Sequence, residues 1–378
     1  MRTSWRTRGA QKILGRWQTW AGFGVAAVLL FGLAPAVLSE FRLSLLGKFL
    51  CFAIVAVGIG LAWGRGGMLV LGQGVFFGLG GYMMGMHLKI ADAQLRGDDV
   101  PDFMQIAGVR ELPSYWEPFA SPAFTLLAIV VVPTAIAAAL GLGVFKRRVK
   151  GAYFAILSQA LAAALAILLV GQTSIGSNGL NRFRTFFGFT LNDPANRRML
   201  YFIAAGVLLI VVAVVRQLMQ SRYGELLVAV RDGEERVRFL GYDPANIKVV
   251  AYTVAACFAS IAGALFAPIV GFIAPSQVGV LPSIAFLIGV AIGGRTTLLG
   301  PVLGAIGVAW ARTLFSERFP SEWTCAQGLL FIVVVGFFPA GLAGLGVLLR
   351  RRRRAKPTAA PEPVSETDPD AEKVGAST

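Results

Sequence analysis

Ten stretches of apolar residues dominate this sequence: 21–38, 45–63, 68–88, 121–145, 151–171, 199–216, 248–272, 280–294, 297–314 and 326–349. A helix of about 20 apolar residues crosses a hydrocarbon core of about 30 Å. In lipid, backbone N–H and C=O groups must be satisfied internally, which helices achieve along their own length. The chain therefore reads as an all-α polytopic membrane protein. The eighth and ninth stretches are short and meet at Gly293-Gly294-Arg295. They could form a hairpin or a re-entrant pair, so the expected count is about ten helices, within eight to ten. Composition agrees: charged residues are 15% of the chain, against about 25% in soluble domains, whose surfaces need them. A soluble enzyme, a disordered chain and a collagen-like fibre are excluded.

The charges that remain are lopsided. The net charge is +15, which in a soluble chain would suggest nucleic acid. Here the positive-inside rule explains it. With a cytoplasmic N-terminus, the inner segments are 1–20, 64–67, 146–150, 216–248, the turn at Arg295, and 350–378. They hold 24 of the 35 Lys and Arg and half of the 20 acidic residues. The inner face is near +14 and the outer near +1, which favours both termini inside and an even span count. Arg350 to Arg354 and Lys146-Arg147-Arg148 sit just past spans, where anionic membrane lipid attracts them; no nucleic-acid partner is needed. Residues 1–20 read as a basic cytoplasmic N-terminus, 21–349 as the membrane domain and 350–378 as a basic, then disordered tail. Ala34-Pro35-Ala36 resembles a cleavage site, but the preceding run is full length and nine more follow, so it reads as a retained span.

The spans hold no Asp, Glu or His deep within them, and Lys and Arg appear only near their ends; His87 marks the outer edge of the third. That argues against a proton relay. No G-x-x-x-x-G-K-[ST] loop is present, so the chain does not bind ATP by that motif. Cys51, Cys257 and Cys325 show no metal or disulfide spacing. No catalytic residue, metal site or cofactor is expected. Glycine is abundant: Gly74 and Gly78 have small-x-x-x-small spacing, which suits close helix packing or a broken span that bares backbone to a solute. Neutral polar groups are few. Gln73, Ser158 and Gln159 lie within spans, as do Thr253, Ser260 and Ser283. Each either bonds a neighbouring helix or lines a path for a small neutral solute. An amide both donates and accepts, which suits urea or another amide.

The inner segment 216–248 is charged and structured rather than a flexible link. Leu226, Val230, Val237 and Gly241 fall near one helical face, with Leu240 beside them, and Glu234 and Arg238 form an i,i+4 pair in the favourable order. Gly241 then Pro244 reads as a helix end. The segment reads as one short helix or two between spans, either a solvated loop or a lever that docks into another protein.

At this point a resemblance appears. Ala229 to Lys248, with its A-V-R-D-x-E-x-R-x-x-x-L-G-Y-D-x-x-x-x-K pattern, resembles the coupling loop of ABC-transporter permeases of the branched-chain amino acid type. Met68 to Tyr82, Lys150 to Gln159, Thr173 to Leu180 and Gly293 to Gly304 are similar to further blocks of that family, with Thr297 where Gly is more usual. The outer loop, with Pro101-Asp102-Phe103-Met104, Glu111-Leu112-Pro113, Trp116, Pro118 and Phe119, resembles the C-type permease of the urea-transporter branch. The resemblance implies an importer permease fold in the bacterial inner membrane, with no enzyme activity of its own. It implies a second permease subunit, two ATP-binding subunits and a periplasmic solute-binding protein as partners. Glu225, Arg231, Asp232, Glu234, Glu235, Arg238 and Gly241 would couple to the ATPase. Gln73, Gly74, Gly78, Ser158, Gln159, Thr173 and Asn178 would border the path. Segments 89–120 and 172–198 would be the periplasmic loops, with Asp98, Asp99, Arg182 and Arg184 available to the binding protein. Urea is the favoured solute; a branched-chain amino acid, a self-sufficient solute channel and a membrane scaffold are the alternatives.

Overall fold

The computed structural model describes residues 22–318, except 107, 110, 150, 173, 174, 177 and 296, together with 328, 329 and 332. The expected span 326–349 and both termini therefore lie outside the described residues, apart from those three positions. Eleven helices are described: α1 (Gly22–Val37), α2 (Glu40–Arg65), α3 (Gln73–Arg96), the short α4 (Asp102–Ile106), α5 (Pro122–Phe145), α6 (Gly151–Val170), α7 (Pro194–Gln220), α8 (Arg222–Phe239), α9 (Pro244–Val270), α10 (Val280–Gly293) and α11 (Gly300–Arg318). Two small antiparallel pairings stand between them. β1 (Leu180–Asn181) pairs with β4 (Phe272–Ile273), and β2 (Thr185–Phe186) pairs with β3 (Phe189–Thr190).

The two longest helices start alike. Asp193-Pro194-Ala195-Asn196 opens α7 and Asp243-Pro244-Ala245-Asn246 opens α9. In each the aspartate accepts from the alanine N–H, at 3.1 Å and 3.0 Å. Proline at the first helical position gives up a donor that had no partner anyway.

α9 is the axis of the bundle, packed by α2, α3 and α5. α2 and α9 are largely enclosed, whereas α5 and α6 present most of their length outward. Phe52, Phe77, Phe266 and Phe286 bring α2, α3, α9 and α10 together, with ring centroids 5.1–6.2 Å apart. In lipid this burial removes little surface from water, so close packing must hold the helices. Glycine supplies it. A Cβ on Gly263 would lie 1.8 Å from the Phe77 carbonyl oxygen, and one on Gly80 2.0 Å from that of Ser260. α3 and α9 thus touch backbone to backbone.

α10 and α11 form an antiparallel hairpin closed the same way, a Cβ on Gly293 falling 1.8 Å from the Gly300 oxygen. Both ends of the bundle are marked by charge. α8 and Arg65 lie at one, called here the α8 end. The loops 97–121 and 171–193 lie at the other, the loop end.

Of three expectations, the first, a count of about ten spans, is neither reached nor contradicted among the described residues, and the other two need correction. Six helices among the described residues are long and apolar enough to cross a membrane, while α1 and the apolar part of α11 are shorter. α3 is not among the six, because Gln73, its many glycines, and His87 and Lys89 dilute its apolar content. Second, the third span does not run 68–88. Residues 67–72 lie outside any helix, with Gly67 at φ +69°, and the helix runs from Gln73 to Arg96. The start of the expected loop 89–120 is therefore helical. Third, charge lies deeper than expected. α2 begins at Glu40, so Lys48 is two turns in, its ammonium 6.0 Å from the centre of the Phe52 ring. His87, Lys89 and Asp92 are all buried on α3.

Candidate functional site

The non-helical segment 67–72 carries the chain from the α8 end of α2 back into the bundle, where α3 starts without a side-chain cap. A helix that begins away from water leaves its first N–H groups unpaired. Two serines from distant helices receive such groups. The Leu71 N–H donates to Ser158 Oγ of α6 (3.3 Å), which donates to Ala155 O (2.9 Å). The Gly74 N–H donates to Ser283 Oγ of α10 (3.0 Å), which donates to Gly279 O (3.0 Å). Each hydroxyl uses one lone pair for the stranded N–H and its proton for its own helix. The starts of α3 and α10 thereby meet inside the protein.

Gln73 sits at this junction with no exposed surface. Neither its amide oxygen nor its amide nitrogen has a partner among the described residues. Leaving such groups unmet in an apolar interior costs about 1–3 kcal/mol each. The same amide is able to donate to and accept from one small polar molecule.

The other candidates fall in different places. Gly74 and Gly78 are sealed: a Cβ would lie 2.5 Å from Ser283 Oγ at the first and 2.3 Å from Val278 Cγ2 at the second. Their spacing serves close packing. Gln159 is half-buried on α6 beside Ser158, and Asn178 is exposed at the loop end, away from the junction. Thr173 lies outside the described residues.

The second site is α8. Gly233 leaves the helical conformation and splits it into two pieces, in keeping with the one-or-two-helix reading. Leu227, Val230 and Val237 are buried against the bundle, whereas Leu226 is only half-buried. Glu225, Asp232 and Glu235 point to solvent. Arg238 pairs with Glu235 (3.2 Å) and Glu234 (3.7 Å), and Glu234 also holds Lys248 at the start of α9 (2.5 Å). Gly241, with φ +85°, lets the chain turn out of α8. Just there, Phe239 and Leu240 are 89% and 76% exposed, an apolar knob. The helical-face reading set Leu240 beside the buried stripe and did not pick out Phe239.

A third group, unforeseen because the third span was placed too early, fastens the loop end. Lys89 of α3 pairs with Asp102 of α4 (2.9 Å). Partial burial pushes the Asp102 carboxyl pKa up. The Lys89 hydrogen bond and charge, the Phe103 N–H and Arg96 outweigh that and hold it below the ordinary carboxylate value. His87 Nδ1 is 2.7 Å from Phe119 O. Asp92 accepts from the Arg184 N–H (2.9 Å), the Thr185 N–H (3.0 Å) and Thr185 Oγ1 (2.6 Å). Both loops are therefore clipped onto one helix. Asp98, Asp99, Arg182 and Arg184 lie at or near the surface there.

Comparison with known proteins fits a transport architecture. A family described as branched-chain amino acid transport system / permease component matches residues 41–338. The high-affinity branched-chain amino acid transport system permease protein LivM of Escherichia coli (strain K12) is 26% identical over 345 residues, covering 85% of this chain and 74% of that protein. LivM of Salmonella typhimurium is 26% identical over 342 residues, 84% and 73% of the two chains. The autoinducer 2 import system permease protein LsrC of Escherichia coli O157:H7 is 29% identical over 147 residues, 37% of this chain and 43% of that one. No solved structure matches.

Proposed function

We propose, given that this chain belongs to the branched-chain amino acid transport system permease family, that it is the membrane subunit of an ATP-driven importer and moves urea or a short-chain amide. The observation that carries the solute class is the junction at Gln73: a fully buried amide whose two polar atoms have no partner among the described residues. Ser158, Gln159 and the backbone at Gly72 border the same route. A second permease subunit completes the path. Two ATP-binding subunits receive α8, with Glu225, Asp232, Glu235 and Arg238 in polar contact and Phe239 and Leu240 in an apolar socket. A solute-binding protein docks on the loop end, which is periplasmic in this reading; the α8 end and both termini are cytoplasmic, in a bacterial inner membrane.

The name of LivM favours a second reading, in which the solute is a branched-chain amino acid. ATP hydrolysis by the complete reconstituted complex separates the two. Stimulation by the urea-loaded and not the leucine-loaded binding protein is expected; the reverse result replaces urea with the amino acid. Passive urea flux in vesicles holding this chain alone would replace both with a channel. Within the importer, Gln73→Leu removes donor and acceptor at nearly constant volume. Uptake is expected to fall about tenfold, the equivalent of one hydrogen bond of roughly 1.4 kcal/mol, with the assembled complex unchanged. Uptake at the wild-type rate would take Gln73 off the path.

A further inference from the structure

The sequence sets Arg231 among residues facing an outside partner, and its side chain is 35% exposed, yet its guanidinium also reaches the backbone of the bundle. Its Nη1 donates to the Gly64 carbonyl oxygen at 3.0 Å, and its Nε donates to Asp232 Oδ1 at 2.8 Å. The carboxylate thus holds the planar guanidinium in the orientation that reaches Gly64. The stem lies across Gly67, where a Cβ would fall 2.6 Å from Arg231 Cγ. Gly67 also has φ +69°, which a glycine adopts without strain.

Gly64 is gripped from its other side as well. A Cβ there would lie 1.8 Å from the Arg295 carbonyl oxygen, in the turn between α10 and α11, and the Arg295 guanidinium covers the Trp63 ring at 5.1 Å. Backbone at the end of α2 is therefore clamped between α8 and the α10–α11 turn. The clamped turn, Gly60–Arg65, is π-wound, a looser winding that recurs at functional sites. Beyond it the chain has little slack. The N–H groups of Gly66, Gly67 and Met68 bond back to Leu61, Trp63 and Ala62. The non-helical residues then reach Leu71, Gln73 and Gly74 at the interior junction.

We infer that Arg231 is a positioning residue that ties α8 to the 64–72 segment, so that displacement of α8 is delivered to Gln73 at the start of α3. The inference rests on the importer reading and divides α8 by role. Glu225, Glu235, Phe239 and Leu240 face outward to a partner. Arg231 spends its guanidinium on Gly64 and Asp232.

The test uses the complete reconstituted complex with Arg231→Ala. The ATPase subunits are expected to co-purify in full and basal ATP hydrolysis to stay within about twofold of wild type. Solute uptake, and the stimulation of hydrolysis by the loaded binding protein, should each drop by about tenfold or more. Arg231→Lys keeps a donor for the Gly64 oxygen and is expected to recover part of the uptake, which a site needing only shape or bulk would not predict. Gly67→Ala should lower uptake by pressing on the Arg231 stem, and adding it to Arg231→Ala should cost less than it does alone. Loss of the ATPase subunits from Arg231→Ala would overturn the inference by making Arg231 a docking contact. Wild-type uptake in that variant would overturn it as well. A wild-type chain that binds no ATPase would instead defeat the importer reading, so the two failures are distinct.

Discussion

Gly263→Val will leave little or no folded protein in the membrane. Helix association in lipid depends on how closely backbones approach, and at this seam the approach is set by two absent side chains. A Cβ on Gly263 would stand 1.8 Å from the Phe77 oxygen, 2.7 Å from its carbonyl carbon and 3.1 Å from the Gly81 nitrogen. Those atoms belong to a helix backbone and cannot rotate aside. Overpacking relieved by side-chain shifts already costs about 1–3 kcal/mol; relief here requires α3 to leave α9. Both helices carry rings of the four-helix Phe cluster, so separation would spread through the bundle. The measurement is the yield and melting temperature of monodisperse protein in detergent. Gly143→Ala is the control, since nothing lies within 4 Å of its added methyl, and it should melt at or slightly above wild type. A Gly263→Val protein that melts within a degree or two of wild type would show that the seam is not close-packed.

The second large effect is expected at Asp92. Its carboxylate is 3% exposed and serves three donors on the 184–185 strand. Asp92→Ala leaves all three unmet in a buried place, at about 1–3 kcal/mol each. Besides those bonds the β2–β3 hairpin has its own short pairing, the buried Phe183 and Phe186, and the Phe187 ring 5.0 Å from that of His87, so it should loosen from α3 while the bundle stays folded. Amide hydrogen exchange across 183–190 is expected to quicken by about a hundredfold or more. Stimulation by a loaded binding protein should fall in parallel, because its landing surface loses order. Asp92→Asn retains one acceptor oxygen and should fall between the two. Unchanged exchange in Asp92→Ala would mean that the hairpin is held by other contacts.

The helix positions were legible where an apolar run is bounded by its own caps and charges. Expected spans at 121–145 and 151–171 meet helices at Pro122–Phe145 and Gly151–Val170. Runs at 199–216 and 248–272 meet longer helices, because apolar content stops before the Asp-Pro caps do. α3 was misplaced from both sides. Met68 to Leu71 are as apolar as any span, and hydrophobicity does not distinguish a buried non-helical stretch of chain from a helix. At the far end His87, Lys89 and Asp92 look like loop residues because their partners, Phe119, Asp102 and Thr185, lie 13 to 93 positions away. Gln73 and Ser158 could be picked out as polar residues in apolar runs. The Ser283 bond to Gly74 spans 209 positions, and no local pattern reports it. Arg231 could be picked out as a charge of the inner segment but not for its reach to Gly64, since that acceptor is a carbonyl 167 positions away.

α3 is fastened at both ends, by serines near Gly74 and by the Asp92 and Lys89 clips some 18 residues on. An α-helix rises about 1.5 Å per residue, so these anchor points stand about 27 Å apart on one rod that scarcely compresses. A rod has no preferred direction of signalling. Any free energy by which nucleotide binding at one end biases the hairpin at the other must return, unchanged in size, as a bias of the loaded hairpin on nucleotide affinity. In the importer proposed above, these two ends would lie on opposite sides of the membrane, and the affinity of the complex for ATP would gauge whether solute is waiting outside.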